Sequence, residues 1–469
     1  MDIMKKASLL IFVVSIALFL FFRFYQLPQT LNFFGDLGRD FVVMQNWQRT
    51  GKPPLLGPQN SAMSFNQSAI YFYLLYPFYL ITSGSVYATA IACAGYYVLF
   101  FILLRRYFNS NPNLQNKITN LVFLLAVWPS LISQHREIWN PSFVPLAIIL
   151  AYFSWQEWLK KPSMKKFSWL TALSLSLAMA LSYASVPAVV ALMIVILLTI
   201  LPKQRLKFIW QLIITSFLLN LPTLVFELRH NFLLTRSIFA HEGVQFSTYF
   251  AEKPQLFLKY LFGFSSQWNL VIFLIILGLC FYLMINKKVK DKQFNFSFIG
   301  FMLTSALLLL APFPMFEHYV IASITLLALA IAFLPRWRYL MIIVLSLLFL
   351  QPTFIFQHFY PTPVSVTVKQ ACLKQVCSQV AQPIFFNLNS GSHNHQALGY
   401  IYLANQAGCQ ATSADRFPVE QPRLMAVVNE QATFDSGKTA YYELSLFGER
   451  ELVNEIKCND QLSVTIFKK

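Results

Sequence analysis

The sequence predicts a mainly α, polytopic transmembrane helix bundle of about 11 helices, with juxtamembrane helices in its first outer loop and a small exoplasmic α/β C-terminal domain. Three observations lead there. The 469 residues are 57% hydrophobic and only 12% charged, with a mean hydropathy of +0.54, whereas soluble domains carry about 25% charged residues. The charges cluster, leaving apolar runs long enough for a hydrocarbon core of about 30 Å. From Tyr360 onward charge is balanced and the apolar runs shorten to strand length.

The first run, Ala7 to Phe22, follows Lys5 and Lys6 and precedes the bulky Arg23-Phe24-Tyr25 instead of a small-residue cleavage site, so it reads as a retained helix. The two lysines put the N-terminus in the cytoplasm. Further apolar runs cover 86–104, 118–133, 142–158, 167–184, 186–201, 208–226, 269–285, 295–311, 319–334 and 339–356. Short basic connections (Arg105-Arg106, Lys160-Lys161, Lys203 to Lys207, Lys287 to Lys292, Arg336 to Arg338) alternate with longer, nearly neutral ones. The Tyr-rich stretch Ala69 to Ile81 is short for a span, and as an interfacial segment it leaves every basic loop on the cytoplasmic side. On that scheme the cytoplasmic segments hold roughly 18 Lys and Arg against 3 Asp and Glu. The net charge of +17 therefore reflects topology in a multi-pass plasma- or inner-membrane protein, and nucleic acid is not implied.

Residues 1–360 form the membrane domain on this reading, and 361–469 the soluble one. The latter has β-like runs at Ile384-Phe385-Phe386, Leu424 to Val428 and Leu462 to Phe467, a helix around Gln396 to Gln406, and Cys372, Cys377, Cys409 and Cys458. On the exoplasmic side such cysteines form disulfides, in any of three pairings, or else remain buried thiols. Their spacing does not match a zinc site.

The first outer loop, from about Gln26 to Ser85, reads Asn32-Phe-Phe-Gly-Asp36-Leu-Gly-Arg39-Asp40 and then Gly51-Lys52-Pro-Pro. Gly35-Asp36 looks like a helix start. Leu37, Phe41, Met44 and Gln48 follow at helical spacing, giving an amphipathic helix for the membrane surface. Asp36 and Asp40, four apart, share one face. They are candidate catalytic acids, or else a helix cap and a partner for Arg39.

A first transmembrane helix, an outer-loop acid on a juxtamembrane helix, Gly-x-Pro-Pro and a Tyr-rich interfacial stretch resemble the GT-C glycosyltransferases. The resemblance is to glycosyltransferase family 39, which includes protein O-mannosyltransferases and lipid A aminoarabinose transferases, and it is most specific in the first loop. Family members carry the catalytic acid within Asp-Glu-x-x-Tyr. Asp36 matches the Asp, while Leu37 and Asp40 replace the Glu and Tyr. The resemblance implies inverting transfer of a sugar from a polyprenyl-phosphate donor to a glycan, lipid or protein acceptor, with Asp36 as general base.

Donor-phosphate candidates come from the outer loops: Lys52, Arg136, Arg229, His230, His318 and Tyr319. Arg136 matches the family's arginine, with pairing to Glu137 as the structural alternative. Asn140 stands where the family has an acid, so no metal or other cofactor is indicated. Arg229 and His230 sit at a depth suited to a lipid phosphate or to interfacial anchoring. The His318-Tyr319 pair resembles a family feature near the carrier lipid, with packing as its alternative. The rival reading, a flippase or transporter of lipid-linked saccharides, expects charges in a mid-membrane cavity and an internal repeat; neither is evident. No Walker loop, His-Glu-x-x-His or serine elbow occurs.

Overall fold

A computed structural model describes residues 2–33, 35–59, 66–136, 139–240, 251–285, 292–312, 314–334, 359–380, 382–390, 397–412, 423–430 and 447–469. The expected run at 339–356, the basic residues at 287–290 and 336–338, and Glu137, His241 and Glu242 lie outside them. The chain forms two units, one of Met1–Tyr25, Pro54–Thr82 and Tyr87–His358, the other of Gln26–Pro53, Ser83–Val86 and Phe359–Lys469. The expected division at residue 360 thus sits beside a unit boundary, while Gln26–Pro53, grouped by sequence with the membrane region, packs with the C-terminal residues.

The first unit is a helical bundle. Its N-terminal helix, Asp2–Phe24, has 23 residues, about 34 Å of rise. One stripe of it, Phe12, Ser15, Phe19, Phe22 and Arg23, is buried at helical spacing, whereas Leu9, Leu10, Ile11, Val13, Val14 and Phe21 are exposed. Apolar residues on both the packed and the open face are the mark of a helix solvated by lipid. The same exposure recurs at Leu99, Ile102 and Leu103, at Trp210, Ile213, Phe217 and Leu218, and at Leu270, Leu274 and Ile275.

The expected apolar runs that fall on described residues appear as helices with shifted ends. Lys6–Phe24 and Ala88–Tyr107 are each long and apolar enough to cross a membrane, and Pro202–Leu219 with Leu221–Arg229 make one bent candidate, broken by 61°. Ile70–Ile81, Asn269–Ile285, Phe294–Leu310 and Glu317–Phe333 are shorter apolar helices. Among the described residues the count of about 11 therefore resolves into two or three helices of full spanning length plus shorter ones. Proline sets many of these boundaries: Pro112, Pro129, Pro145, Pro187, Pro202 and Pro222 each stand in the first two positions of a helix, where their missing N–H costs nothing. The run 118–133 is accordingly cut into Pro112–Val127 and Pro129–Gln134. Helix Ile321–Phe333 is buried along its whole length, against Pro112–Val127, Val144–Lys160 and Lys292–Leu310. The Tyr-rich stretch forms the 12-residue helix Ile70–Ile81.

The second unit is built on a five-stranded sheet. Strands β1 (Ile384–Ser390), β2 (Ala411–Thr412), β3 (Leu424–Glu430), β4 (Glu451–Lys457) and β5 (Leu462–Lys468) lie in the order β2-β1-β3-β5-β4. β1 is parallel to β2 and β3, and β5 is antiparallel to β3 and β4. Helix Val366–Gln379, capped by the Ser365 hydroxyl on Val368 N–H, and helix Leu398–Gln406 complete it. Of the three pairings left open by sequence, the structure has Cys372–Cys458 and Cys377–Cys409. Both begin on helix Val366–Gln379, one fastening it to the end of the β4–β5 hairpin and the other to the segment before β2.

The early residues of this unit are woven into the late ones. Thr362 N–H donates to Gln29 O (3.0 Å), Val366 N–H to Leu31 O (2.8 Å) and Thr367 Oγ1 to Pro28 O (2.7 Å). Helix Gly35–Thr50 crosses helix Leu398–Gln406 at Gly38 and Gly399, so closely that a Cβ on Gly38 would fall inside the Gly399 backbone. Phe33 and Phe41 pack on the Tyr402 ring at 5.9 and 5.1 Å. Tyr402 Oη in turn donates to Gly84 O at 2.5 Å.

Candidate active site

The first-loop acids stand on a helix that begins at Gly35, with Asp36 in its first turn. An acid there is favoured by the free N–H groups and the positive end of the helix dipole. Leu37, Phe41 and Met44 are buried as their spacing requires, and so is Asp40. Arg39 stands between the two acids: its Nη1 donates to Asp36 Oδ1 at 2.7 Å, and Nε and Nη2 fork onto Asp40 Oδ1 at 3.0 and 2.9 Å. Asp40 has no exposed surface, whereas the Asp36 and Arg39 side chains keep 26% and 20%. Asp36 can therefore meet a substrate from solvent and Asp40 cannot, because the fork and its own burial enclose it.

Just before that helix, Lys369 anchors the chain. It is 1% exposed and donates to Asn32 Oδ1 (2.8 Å) and to Glu430 Oε1 (2.7 Å), with its ammonium 4.8 Å from the Tyr400 ring centre. Burial lowers the Lys369 ammonium from its ordinary value and the Glu430 carboxylate opposes this. Burial, then the Glu430 charge, push the Tyr400 phenol well above its ordinary 10.0 while its hydroxyl donates to Glu430 Oε1 at 2.5 Å. Lys52 is exposed beyond the end of the acid-bearing helix.

In the first unit the predicted cations fall in three places. Arg136 is buried, and its Nη1 donates to the carbonyls of Phe22 (3.0 Å) and Tyr25 (3.0 Å) and more distantly to Arg23 (3.5 Å), tying down the open C-terminal end of the first helix. Arg229 and His230 are exposed at the end of helix Leu221–Arg229. The His230 ring stacks on Phe226 at 4.1 Å and its Nδ1 lies 2.8 Å from Phe226 O. The preceding Glu227 accepts from Leu234 N–H, Thr235 N–H and Thr235 Oγ1, which caps the following helix from a distance in sequence. His318 and Tyr319 lie together, the imidazole packed on Trp139 at 4.7 Å and on Tyr319 at 4.5 Å.

Several polar groups here were not singled out by sequence. Glu317 accepts hydrogen bonds from Gln134 and Ser133. Arg23, which reads in sequence only as a bulky flank, turns inward: it donates to Ala126 O and Leu125 O and to His135 Nδ1 at 3.1 Å. Since Nδ1 accepts, the His135 proton sits on Nε2 and is given to Tyr97 Oη (3.1 Å), which donates to Ser142 O (3.0 Å). An arginine closing an apolar helix was the available signal. Asn140, at the place of the family's acid, uses its Nδ2 on Gln67 Oε1 (2.8 Å) and Leu181 O (2.6 Å). Among the described residues no group of three His, Cys, Asp or Glu is placed to hold a metal ion.

No protein-family model matches the chain, and no curated protein sequence matches it. Solved structures do. ArnT from Cupriavidus metallidurans in the apo state superposes with a TM-score of 0.59 at 9% identity, covering 98% of this chain and 98% of that one. The same protein bound to undecaprenyl phosphate gives 0.58 at 9% identity, covering 99% and 97%. At that identity the fold is what is shared, and it is shared from end to end. The chain has the fold of ArnT.

Proposed function

We propose that this protein is a membrane glycosyltransferase that moves a sugar from a polyprenyl-phosphate donor to an acceptor hydroxyl on the outer face of the membrane. The observation that carries the reading is Asp36, a partly exposed carboxylate held by Arg39 at the start of the first-loop helix, in a chain with the ArnT fold. The undecaprenyl phosphate in one ArnT structure supports a lipid of the same class here.

In the proposed reaction the acceptor oxygen attacks the anomeric carbon as Asp36 takes the hydroxyl proton. The bond from that carbon to the phosphate oxygen breaks, and its electron pair leaves with the polyprenyl phosphate. A single displacement inverts the anomeric centre. The leaving group is already a good one, so cations serve it better than a general acid. Of the candidates, Arg229, His230 and Lys52 have exposed side chains suited to a phosphate, while His318 and Tyr319, packed on each other, remain candidates in this proposal. Arg136 spends its Nη1 on helix-end carbonyls, so we assign it to holding the end of the first helix.

The test is transfer of labelled sugar from polyprenyl-phosphate donors by reconstituted protein, with Asp36→Asn at matched expression. Loss of the base should lower kcat by about 10²–10⁴-fold and leave donor binding intact. Wild-type turnover untouched by the change would remove Asp36 from the role. Lipid-linked sugar crossing the bilayer without being consumed would replace transfer by transport.

A further inference from the structure

We propose that Asp40 and Arg39 form a positioning device for Asp36, in which buried Asp40 fixes the guanidinium and the guanidinium aims the exposed carboxylate. The inference rests on the transferase reading and assigns its neighbouring residues separate parts.

The geometry divides the labour. Arg39 has five N–H donors in a rigid plane, and it spends two adjacent ones, Nε and Nη2, on a single oxygen of Asp40. Asp40 has no exposed surface, sits on the face that also buries Leu37, Phe41 and Met44, and cannot swing. A guanidinium gripped through that edge presents Nη1 in one direction only, and there it meets Asp36 Oδ1 at 2.7 Å. Asp36 alone, in the first turn of a helix and one-quarter exposed, would sample several rotamers. With Nη1 on Oδ1, its second oxygen is held in a fixed attitude toward an incoming hydroxyl.

Charge gives the second reason for Asp40. Arg39 by itself would cancel the charge of Asp36 at hydrogen-bond distance. Asp40 supplies the compensating negative charge on the other side of the guanidinium, so the three side chains together keep one net negative charge. Only Asp36 of the two acids is exposed enough to present it. A lysine at position 39 would keep the charge but not the fork, since an ammonium is a point donor on a flexible stem. The crossing at Gly38 and Gly399 and the bond from Lys369 to Asn32 hold the backbone on which this geometry depends.

The experiment is a double-mutant cycle on the protein in lipid vesicles, reading release of polyprenyl phosphate from a panel of polyprenyl-phosphate hexoses and pentoses with glycan, lipid and peptide hydroxyl acceptors supplied. Asp40→Asn keeps the shape and an oxygen acceptor, and Arg39→Lys keeps the charge. Each is expected to lower kcat by about 10–100-fold, the effect of misplacing a reacting group by about 1 Å, with donor KM unchanged. In an Asp36→Asn background each should cost less than about threefold more, because residues that act through one group are not additive. If Asp40→Asn fails to fold, Arg39→Lys carries the same cycle. Multiplicative losses would overturn the inference by giving Asp40 or Arg39 a part of its own, and so would single variants with wild-type kcat. Wild-type protein that releases no polyprenyl phosphate from any donor overturns the transferase reading, and this inference with it.

Discussion

Replacing Gly38 with alanine sets two elementary effects against each other. Gly38 lies inside helix Gly35–Thr50, where alanine is favoured over glycine by about 1 kcal/mol from propensity alone. The added methyl, however, would fall inside the Gly399 backbone, and backbone cannot rotate away as a side chain can. The two helices must separate by about 1 Å or more, an overpacking cost of about 1–3 kcal/mol, so the clash wins and the unit loses up to about 2 kcal/mol net. The catalytic effect is larger, because a 1 Å displacement of the helix carrying Asp36 is of the size that costs about 10²-fold in rate. Gly278, inside helix Asn269–Ile285 with no neighbouring atom within 4 Å of an added methyl, provides the control. Sugar transfer and thermal unfolding of Gly38→Ala, Gly278→Ala and wild type in the same detergent give the comparison. A Gly38→Ala protein as active and as stable as Gly278→Ala would refute the reasoning, since the crossing would then have no bearing on the site.

Two further outcomes follow from the second unit. The folded Tyr400 phenol keeps its proton well above 10.0 while the unfolded one loses it near that value, so the unfolded state binds fewer protons and stability falls as pH rises past 10; Tyr400→Phe should flatten that fall in an alkaline melting series. The lowered Lys369 ammonium acts oppositely below about 10.4, which is why the difference between the two proteins, not the wild-type curve, is the measurement. Reducing Cys372–Cys458 and Cys377–Cys409 should cost about 2–5 kcal/mol and lower sugar transfer along with melting temperature, whereas activity retained in a strong reductant would separate the disulfides from the site.

Much of this was legible in local pattern. Gly35-Asp36 starts a helix, the 37, 41 and 44 positions are buried, and the runs at 384, 424 and 462 are strands, because capping, period 3.6 and period 2 act over a few residues. β4 escaped notice for an equally local reason: Glu451, Glu455 and Lys457 line an edge strand that is almost wholly exposed, so no apolar alternation marks it. Among the described residues the expected apolar runs fall on helices whose ends local pattern does not fix, with proline setting them at Pro112, Pro129 and Pro202. The disulfide pairing, the inward turn of Arg23 and the placement of Gln26–Pro53 with the C-terminal residues depend on partners from 32 to 339 positions away, beyond the reach of local pattern. At the site, spacing put Asp36 and Asp40 on one face but could not separate their parts. Burial distinguishes the two side chains, since one carboxylate is partly open to solvent and the other is enclosed against Arg39.

Lys369 and Asn32 are 337 positions apart, and β5, which ends at Lys468, borders β3. During synthesis the helix that bears Asp36 is made long before the residues that seat it, Lys369 and the strands that follow. At usual elongation rates that wait is on the order of 20–70 s, during which the early loop is kept from its partners. A ribosome that stops short of β5 leaves a chain inserted in the membrane with its acid unseated. In the proposed transferase, a chain lacking Lys369 and the strands after it would hold its candidate base without the seat that positions it.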